Sequence, residues 1–254
     1  MDLGISGRTA AVAAASAGLG LASARALAAD GVRVAVCGRD RARVDDAVAS
    51  LAPVGGGHVG LVADLSTTGG ASGFVHAAGE ALGAPPDILV TNAGGPPAGT
   101  FASTPLDAYA PALDLNLLSV VAMCQAAVPA MRERGWGRVV AITSISVKQP
   151  IGTLILSNTA RAGATAFLKT LSSEVAADGV TVNSVLPGSH ATDRLRSLHG
   201  GEEGLERAAA SVPMRRLGDP ADFGAVVAFL CSEHARFVTG AALQVDGGQY
   251  AGLL

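Results

Sequence analysis

Three side chains within one stretch have the types and spacing to act on an oxygen atom. Between Gly137 and Gly163 the chain reads GRVVAITSISVKQPIGTLILSNTARAG. An apolar, β-rich run from Val139 to Ile142 ends at the hydroxyls of Thr143, Ser144 and Ser146, and a helical pattern starting near Leu156 carries Ser157 and Arg161. A strand that ends this way delivers polar groups to the carboxyl edge of a sheet, where open α/β folds place their ligands. A serine hydroxyl there can donate a hydrogen bond to an oxygen that gains negative charge. Arginine brings a permanent cation but no proton to release.

The elements that would position these groups alternate strand and helix from the start of the chain. Thr9 to Ala15 is a short apolar run flowing into Ser16-Ala17-Gly18-Leu19-Gly20, and a helix reads from Gly18 to Asp30, with Gly31 placed to end it. Strand, glycine turn and helix N-terminus make a pyrophosphate site, because backbone N–H groups and the helix dipole face the anion; a tight turn in any α/β protein would read the same way. The second strand, Val32 to Cys37, ends in Gly38-Arg39-Asp40. In dinucleotide folds an acidic residue about 20 positions after the glycines holds the ribose 2′-hydroxyl, and an arginine accommodates a 2′-phosphate. Arg39 occupies that place, favouring NADP(H) over NAD(H), against the alternative of a solvated loop cation. Asp40 reads as the cap of a helix whose Val44, Ala47, Val48 and Leu51 share a face.

Spacing carries a resemblance. From Ser144, thirteen residues lead to Ser157 and four more to Arg161, the frame that short-chain dehydrogenases/reductases fill with Ser, Tyr and Lys. The chain resembles that family along nearly its whole length, and the 3-oxoacyl-carrier-protein reductase type most. In its Thr-Gly-x-x-x-Gly-x-Gly motif Ala13 and Ala14 stand in for Thr-Gly while Gly18 and Gly20 are kept, with the methyl of Ala14 expected to require a negative φ. The resemblance assigns Ala14, Ser16, Gly18, Leu19 and Gly20 to the cofactor's pyrophosphate. Asp64 and Leu65, after a strand from His58 to Ala63, would meet the adenine, or Asp64 would cap the turn that follows; His58 itself reads as surface. Thr91-Asn92-Ala93-Gly94 answers to the family's Asn-Asn-Ala-Gly, so Asn92 would tie the sheet together and Ala93-Gly94 lie against the cofactor. Asn116 matches the catalytic Asn, whose carbonyl is exposed by a kink, or else is a satisfied core amide. Pro187-Gly188 and Thr192 match the segment that meets the nicotinamide or pyrophosphate. The implied catalytic set is therefore Ser144, Asn116, Ser157 and Arg161.

Ser157 is a much poorer acid than the phenol it replaces. Lys148, His190, or a water held by Ser157 and Arg161 are the substitute proton sources, while the tyrosines, Tyr109 and Tyr250, are distant in sequence. The apolar pattern from Pro105 to about Arg134, with apolar residues at Leu106, Tyr109, Leu113, Leu117, Val120, Cys124, Val128 and Met131, predicts a long helix whose apolar face is wider than one sheet surface needs, and such helices in this family build a dimer or tetramer. Residues 189 to 213 are polar and Arg-rich, the pattern of a substrate lid.

Composition agrees with one domain spanning 1–254: an α/β, Rossmann-type doubly wound parallel sheet of about seven strands with helices on both faces. The 33 glycines exceed the roughly 18 of average usage, as tight strand-to-helix turns require. A net charge of −3 with scattered basic residues argues against nucleic acid. Cys37, Cys124 and Cys231 are isolated in apolar contexts, reading as buried small hydrophobes in a reducing cytoplasm, with no metal site. Neither a signal peptide nor an uninterrupted membrane-spanning segment is read from the pattern. Three functions remain open: an NADP(H)-dependent oxidoreductase acting on a small or acyl-carrier-bound carbonyl, a dinucleotide- or ligand-binding protein without turnover, and a lyase or cyclase on the same fold.

Overall fold

The strands of the sheet are short apolar runs, and the central ones are buried on both faces, as strands of a parallel sheet covered by helices are, while the two edge strands are partly exposed. The computed structural model describes residues 1–253. In chain order it forms β1 (Thr9–Val12), α1 (Gly18–Ala29), β2 (Arg33–Gly38), α2 (Arg41–Ala49), β3 (Val59–Val62), α3 (Thr68–Leu82) and β4 (Ile88–Thr91). There follow α4 (Tyr109–Leu113), a π-type turn (Asp114–Leu118), α5 (Ser119–Glu133), β5 (Gly137–Ile142), α6 (Ile155–Val175) and β6 (Val180–Pro187). The chain closes with α7 (Asp193–His199), α8 (Glu202–Ser211), α9 (Pro220–Cys231) and β7 (Ala242–Val245). All seven strands are parallel in the order β3-β2-β1-β4-β5-β6-β7. The order reverses between β1 and β4, which opens a crevice at their carboxyl ends.

Alternation along the strands divides the core in two. Ala11, Leu89, Val139 and Val182 face one way and pack against Phe74 of α3 and Met123 and Met131 of α5. Val12, Val90 and Val140 face the other way, onto Leu27 of α1 and Phe223 and Val227 of α9. Local signals set the helix starts: Asp40 Oδ1 accepts from Arg43 N at 2.9 Å, Thr67 Oγ1 from Gly70 N at 3.0 Å, and Asp219 Oδ1 from Ala221 N at 2.8 Å ahead of Pro220.

The 189–213 segment contains the two helices α7 and α8. Several expectations are corrected. The long helix expected from Pro105 to about Arg134 opens on a 3₁₀ turn at Leu106–Ala108, where Leu106 is 87% exposed, and is interrupted by the π-type turn. The stretch Leu106–Glu133 is long and apolar enough to cross a membrane by length and composition, although no such run was expected, and half of its most apolar window is buried inside this fold. His58 is no surface residue: its Nδ1 accepts from Val34 N at 3.2 Å and holds β2 beside the loop before β3, and burial lowers its pKa. The three cysteines are buried, and desolvation pushes each thiol up to about 12, leaving them inert.

Candidate functional site

The glycine turn after β1 is built by exclusion. A methyl on Gly20 would stand 2.6 Å from the Ala14 carbonyl oxygen and 2.9 Å from Asn92 Nδ2, so only glycine lets α1 start this close to the sheet. Asn92 Nδ2 donates to that same carbonyl at 3.2 Å, tying the end of β4 to the turn. Ala14 departs from expectation: its φ is +46°, in the left-handed region where a methyl costs energy, rather than negative. The neighbours hold it there. Ala14→Gly is therefore expected to stabilise the fold by about 0.5–1 kcal/mol, after the entropy glycine costs the folded state, and to raise the melting temperature in a thermal scan. A lowered melting temperature would show that the methyl's packing outweighs its strain.

Around this turn the structure gathers most of the residues expected at a dinucleotide. Ser16 lies against Gly38 at the end of β2, and Leu19 packs into the core beside α9. Arg39 and Asp64 are exposed at the ends of β2 and β3, close enough that Arg39 helps lower the Asp64 carboxyl, although the hydrogen bonds from Ser66 contribute most. Asp64 Oδ1 accepts from Ser66 N at 3.0 Å, so it does cap the turn, while Leu65 is buried. Thr192 caps α7 by accepting from Leu195 N at 3.3 Å, and its methyl carbon lies 3.7 Å from where a Cβ on Gly18 would be. The start of α7 thus stands over the glycine turn. Pro187 ends β6, and Gly188 is pressed against Asp246 and Gln249.

The reacting end lies at β4 and β5. Ser144 caps a short turn, its Oγ accepting from Ser146 N at 3.1 Å, which leaves the hydroxyl proton to be donated outward. Ser157, in the first turn of α6, is buried, and its hydroxyl has no hydrogen-bond partner among the described residues. Arg161 is 9% exposed and is turned into the protein: Nη1 donates to Ile142 O at 3.0 Å and Thr143 O at 3.1 Å, and Nη2 to Ala93 O at 3.5 Å. Burial and the neighbouring Arg194 bring its pKa down to about 10, so it stays charged at neutral pH. Asn116 sits in the π-type turn, buried, with both side-chain amide atoms lacking partners. Such turns free a backbone carbonyl from the regular ladder. The hydroxyls of Thr91 and Thr143 are also buried and unpartnered, and the strand alternation puts both on the Asn116 side of the sheet.

The substitute proton sources separate. His190 is buried against Phe223 of α9, with ring centroids 5.2 Å apart, in the opposite layer from Ser157 and Arg161; burial lowers its pKa. Lys148 Nζ stands 5.5 Å from the centroid of the Tyr250 ring, and Gln149 Oε1 accepts from Ala251 N at 3.1 Å. This brings a phenol to the loop after Ser144, across a sequence gap that gave no signal of it. Arg194 is the other residue whose place the sequence could not give: its Nη2 donates to Pro96 O at 2.8 Å, across 98 positions. An apolar cavity of about 360 Å³ adjoins this region, lined by Pro96, Pro105, Pro111, Leu115 and Leu156 among others.

Known proteins share this arrangement over the whole chain. A family model described as Enoyl-(Acyl carrier protein) reductase matches residues 13–249. Dehydrogenase/reductase SDR family member 4 of Homo sapiens is 34% identical over 245 residues, covering 96% of this chain and 88% of the human protein. The L-rhamnose 1-dehydrogenase (NAD(P)(+)) of Azotobacter vinelandii is 34% identical over 251 residues, covering 97% and 98%. The crystal structure of L-sorbose reductase from Gluconobacter frateurii, complexed with NADPH and L-sorbose, superposes with a TM-score of 0.92 at 31% identity and full coverage of both chains. With a family model that spans residues 13–249 and relatives 34% identical over nearly the whole chain, the chain belongs to the short-chain dehydrogenase/reductase family.

Proposed function

We propose that this protein is an NADP(H)-dependent oxidoreductase that interconverts a carbonyl and its alcohol. One juxtaposition carries the reading. The Asn92-Ala93-Gly94 loop is tied on one side to the glycine turn through Ala14 O and on the other to the end of β5 through Arg161, and a Cβ on Gly94 would meet nothing within 4 Å. An open floor therefore runs between an anion-binding turn and the Ser144 hydroxyl, which is what a dinucleotide with its reactive end at Ser144 requires. When bound, the nicotinamide supplies or accepts the hydride. Ser144 donates to the carbonyl oxygen as it gains charge. Ser157, or a water against it, passes the proton, and Arg161 holds β4 and β5 at the spacing the site needs while keeping N–H groups for a ribose hydroxyl, since a guanidinium has five. Arg39 faces the 2′-phosphate. The exposed Phe101, Leu106 and Phe237 suit a homo-oligomer.

The first test is a titration with NADPH and NADH followed by nicotinamide fluorescence. NADPH should bind more tightly, and Arg39→Ala should weaken it by about tenfold, the size of one charge-assisted contact, while changing NADH little. If neither dinucleotide binds, the oxidoreductase reading fails. One observation favours a second reading, binding without turnover: Arg161 gives its donors to main-chain carbonyls, and the frame's tyrosine is Ser157. Tight NADPH binding with no oxidation over a broad carbonyl panel would select it.

A further inference from the structure

Two guanidinium groups approach one loop from opposite sides. Arg161 rises from α6 to Ala93 O, and Arg194 descends from α7 to Pro96 O, three residues further on. The Arg194 guanidinium lies flat on Gly95, where a methyl would stand 2.7 Å from Nη2 and 3.0 Å from Cζ, so glycine is what lets it settle there. Between the two anchor points Gly94 faces open space. Like charges set this close repel, and the Arg161 pKa is lowered partly by Arg194. Yet neither guanidinium has a carboxylate partner among the described residues. Other arginines of the lid do: Arg196 pairs with Asp193 and Glu202, and Arg207 with Glu203. Only one Arg194 donor is committed, and the residue is exposed.

We propose that Arg194, backed by Arg161, forms an anion subsite that receives a carboxylate of the substrate, so that the carbonyl compound taken by this site is an oxo acid. The inference rests on the oxidoreductase reading for the carbonyl, but the anion subsite stands on its own geometry. A phosphate of the dinucleotide is the other source of negative charge. Thr192 is the lid residue that faces Gly18 on the glycine turn, whereas Arg194 reaches beyond Gly94 to Gly95 and Pro96, at the far end of the floor. Pro96 also lines the apolar cavity with Leu115 and Leu156, so a carbon chain attached to the carboxylate has a place to lie. A guanidinium offers a carboxylate two parallel N–H groups, a geometry an ester cannot use as well.

The experiment titrates acetoacetate and methyl acetoacetate into the wild-type protein, Arg194→Gln and Arg194→Lys by calorimetry, each with and without saturating NADPH. Acetoacetate should bind at least about tenfold more tightly than the ester, the size of a charged hydrogen bond. Arg194→Gln should bring that ratio close to one, Arg194→Lys should keep part of it, and NADPH affinity should hold within about twofold in both variants. Equal binding of acid and ester, or a preference that survives Arg194→Gln, overturns the subsite. So does an Arg194→Gln protein that loses NADPH affinity with the acid-to-ester ratio untouched, which would assign the cation to the cofactor's phosphates. If acetoacetate is preferred but NADPH does not bind, the subsite stands and the oxidoreductase reading falls.

Discussion

Replacing Arg161 with alanine is expected to destabilise the protein by about 2–4 kcal/mol, through the buried carbonyls that lose their donor. The guanidinium closes the gap between the carboxyl ends of β4 and β5, and its hydrogen bonds to Ile142 O, Thr143 O and Ala93 O cross from one strand end to the other. Alanine would leave those carbonyls without a donor and a void where the side chain lay, and each unsatisfied buried carbonyl costs about 1–3 kcal/mol. The 3.5 Å contact to Ala93 is the weakest of the three, and water entering the void would return part of the loss. Arg161→Lys should cost less, since an ammonium can reach one or two of the carbonyls but lacks the planar fork that spans them all. Urea denaturation at unchanged m-value would measure both. An alanine variant with an unmoved midpoint would show that the arginine is not holding the strand ends. The same reasoning explains how a cation persists here: burial disfavours its charge, and the carbonyl dipoles at the strand ends offset that cost.

Ser144→Ala has the largest expected effect on turnover. Once a carbonyl substrate is in hand, kcat/KM should fall by about 10²–10³-fold, as for loss of one donor to a developing oxyanion. The Ser144 hydroxyl is placed for this role by its cap on the Ile145–Val147 turn: its oxygen accepts from Ser146 N, so its proton is the part left to give. Loss of the cap should cost about 0.5–1 kcal/mol of stability, too little to unfold the chain. NADPH affinity should hold, because the glycine turn and Arg39 belong to β1 and β2, on the other side of β4 from β5. A variant that binds NADPH normally and retains more than a tenth of its activity would remove Ser144 from the reaction. Ser157→Ala, by contrast, should lower the rate less if water carries the proton.

How much of this was legible along the chain depended on the range of the interaction that decided each feature. Helix caps are decided within four residues, so Asp40 caps α2 in the structure as it reads in the sequence. The parallel, doubly wound sheet followed from the alternation of short apolar runs with helical patterns, since parallel strands need crossovers; the order of its strands is set by the tertiary structure. The backbone angle of Ala14 was not legible. A residue that prefers negative φ is held at +46° by a turn whose far side is Asn92, 78 positions away. His58 was misread for a related reason: a neighbouring strand's N–H claimed its ring.

The sequence by itself determined the sheet, the glycine turn, the placing of Ser144 at a strand end, and the family frame in which Ser157 and Arg161 stand. These depend on local pattern, and local pattern is written in consecutive residues. Only the tertiary structure decided where the charges point. Arg161 could have faced the cleft or the sheet, and it faces the carbonyls of Ile142 and Thr143, because a buried guanidinium must find acceptors and two strand ends offer them. Arg194 read as one lid arginine among several, and it meets Arg161 across Gly94 and Gly95 because α7 folds over the carboxyl edge. Long side chains take their direction from partners far away in sequence, so the chemistry of the cleft became visible only when the chain had closed around it.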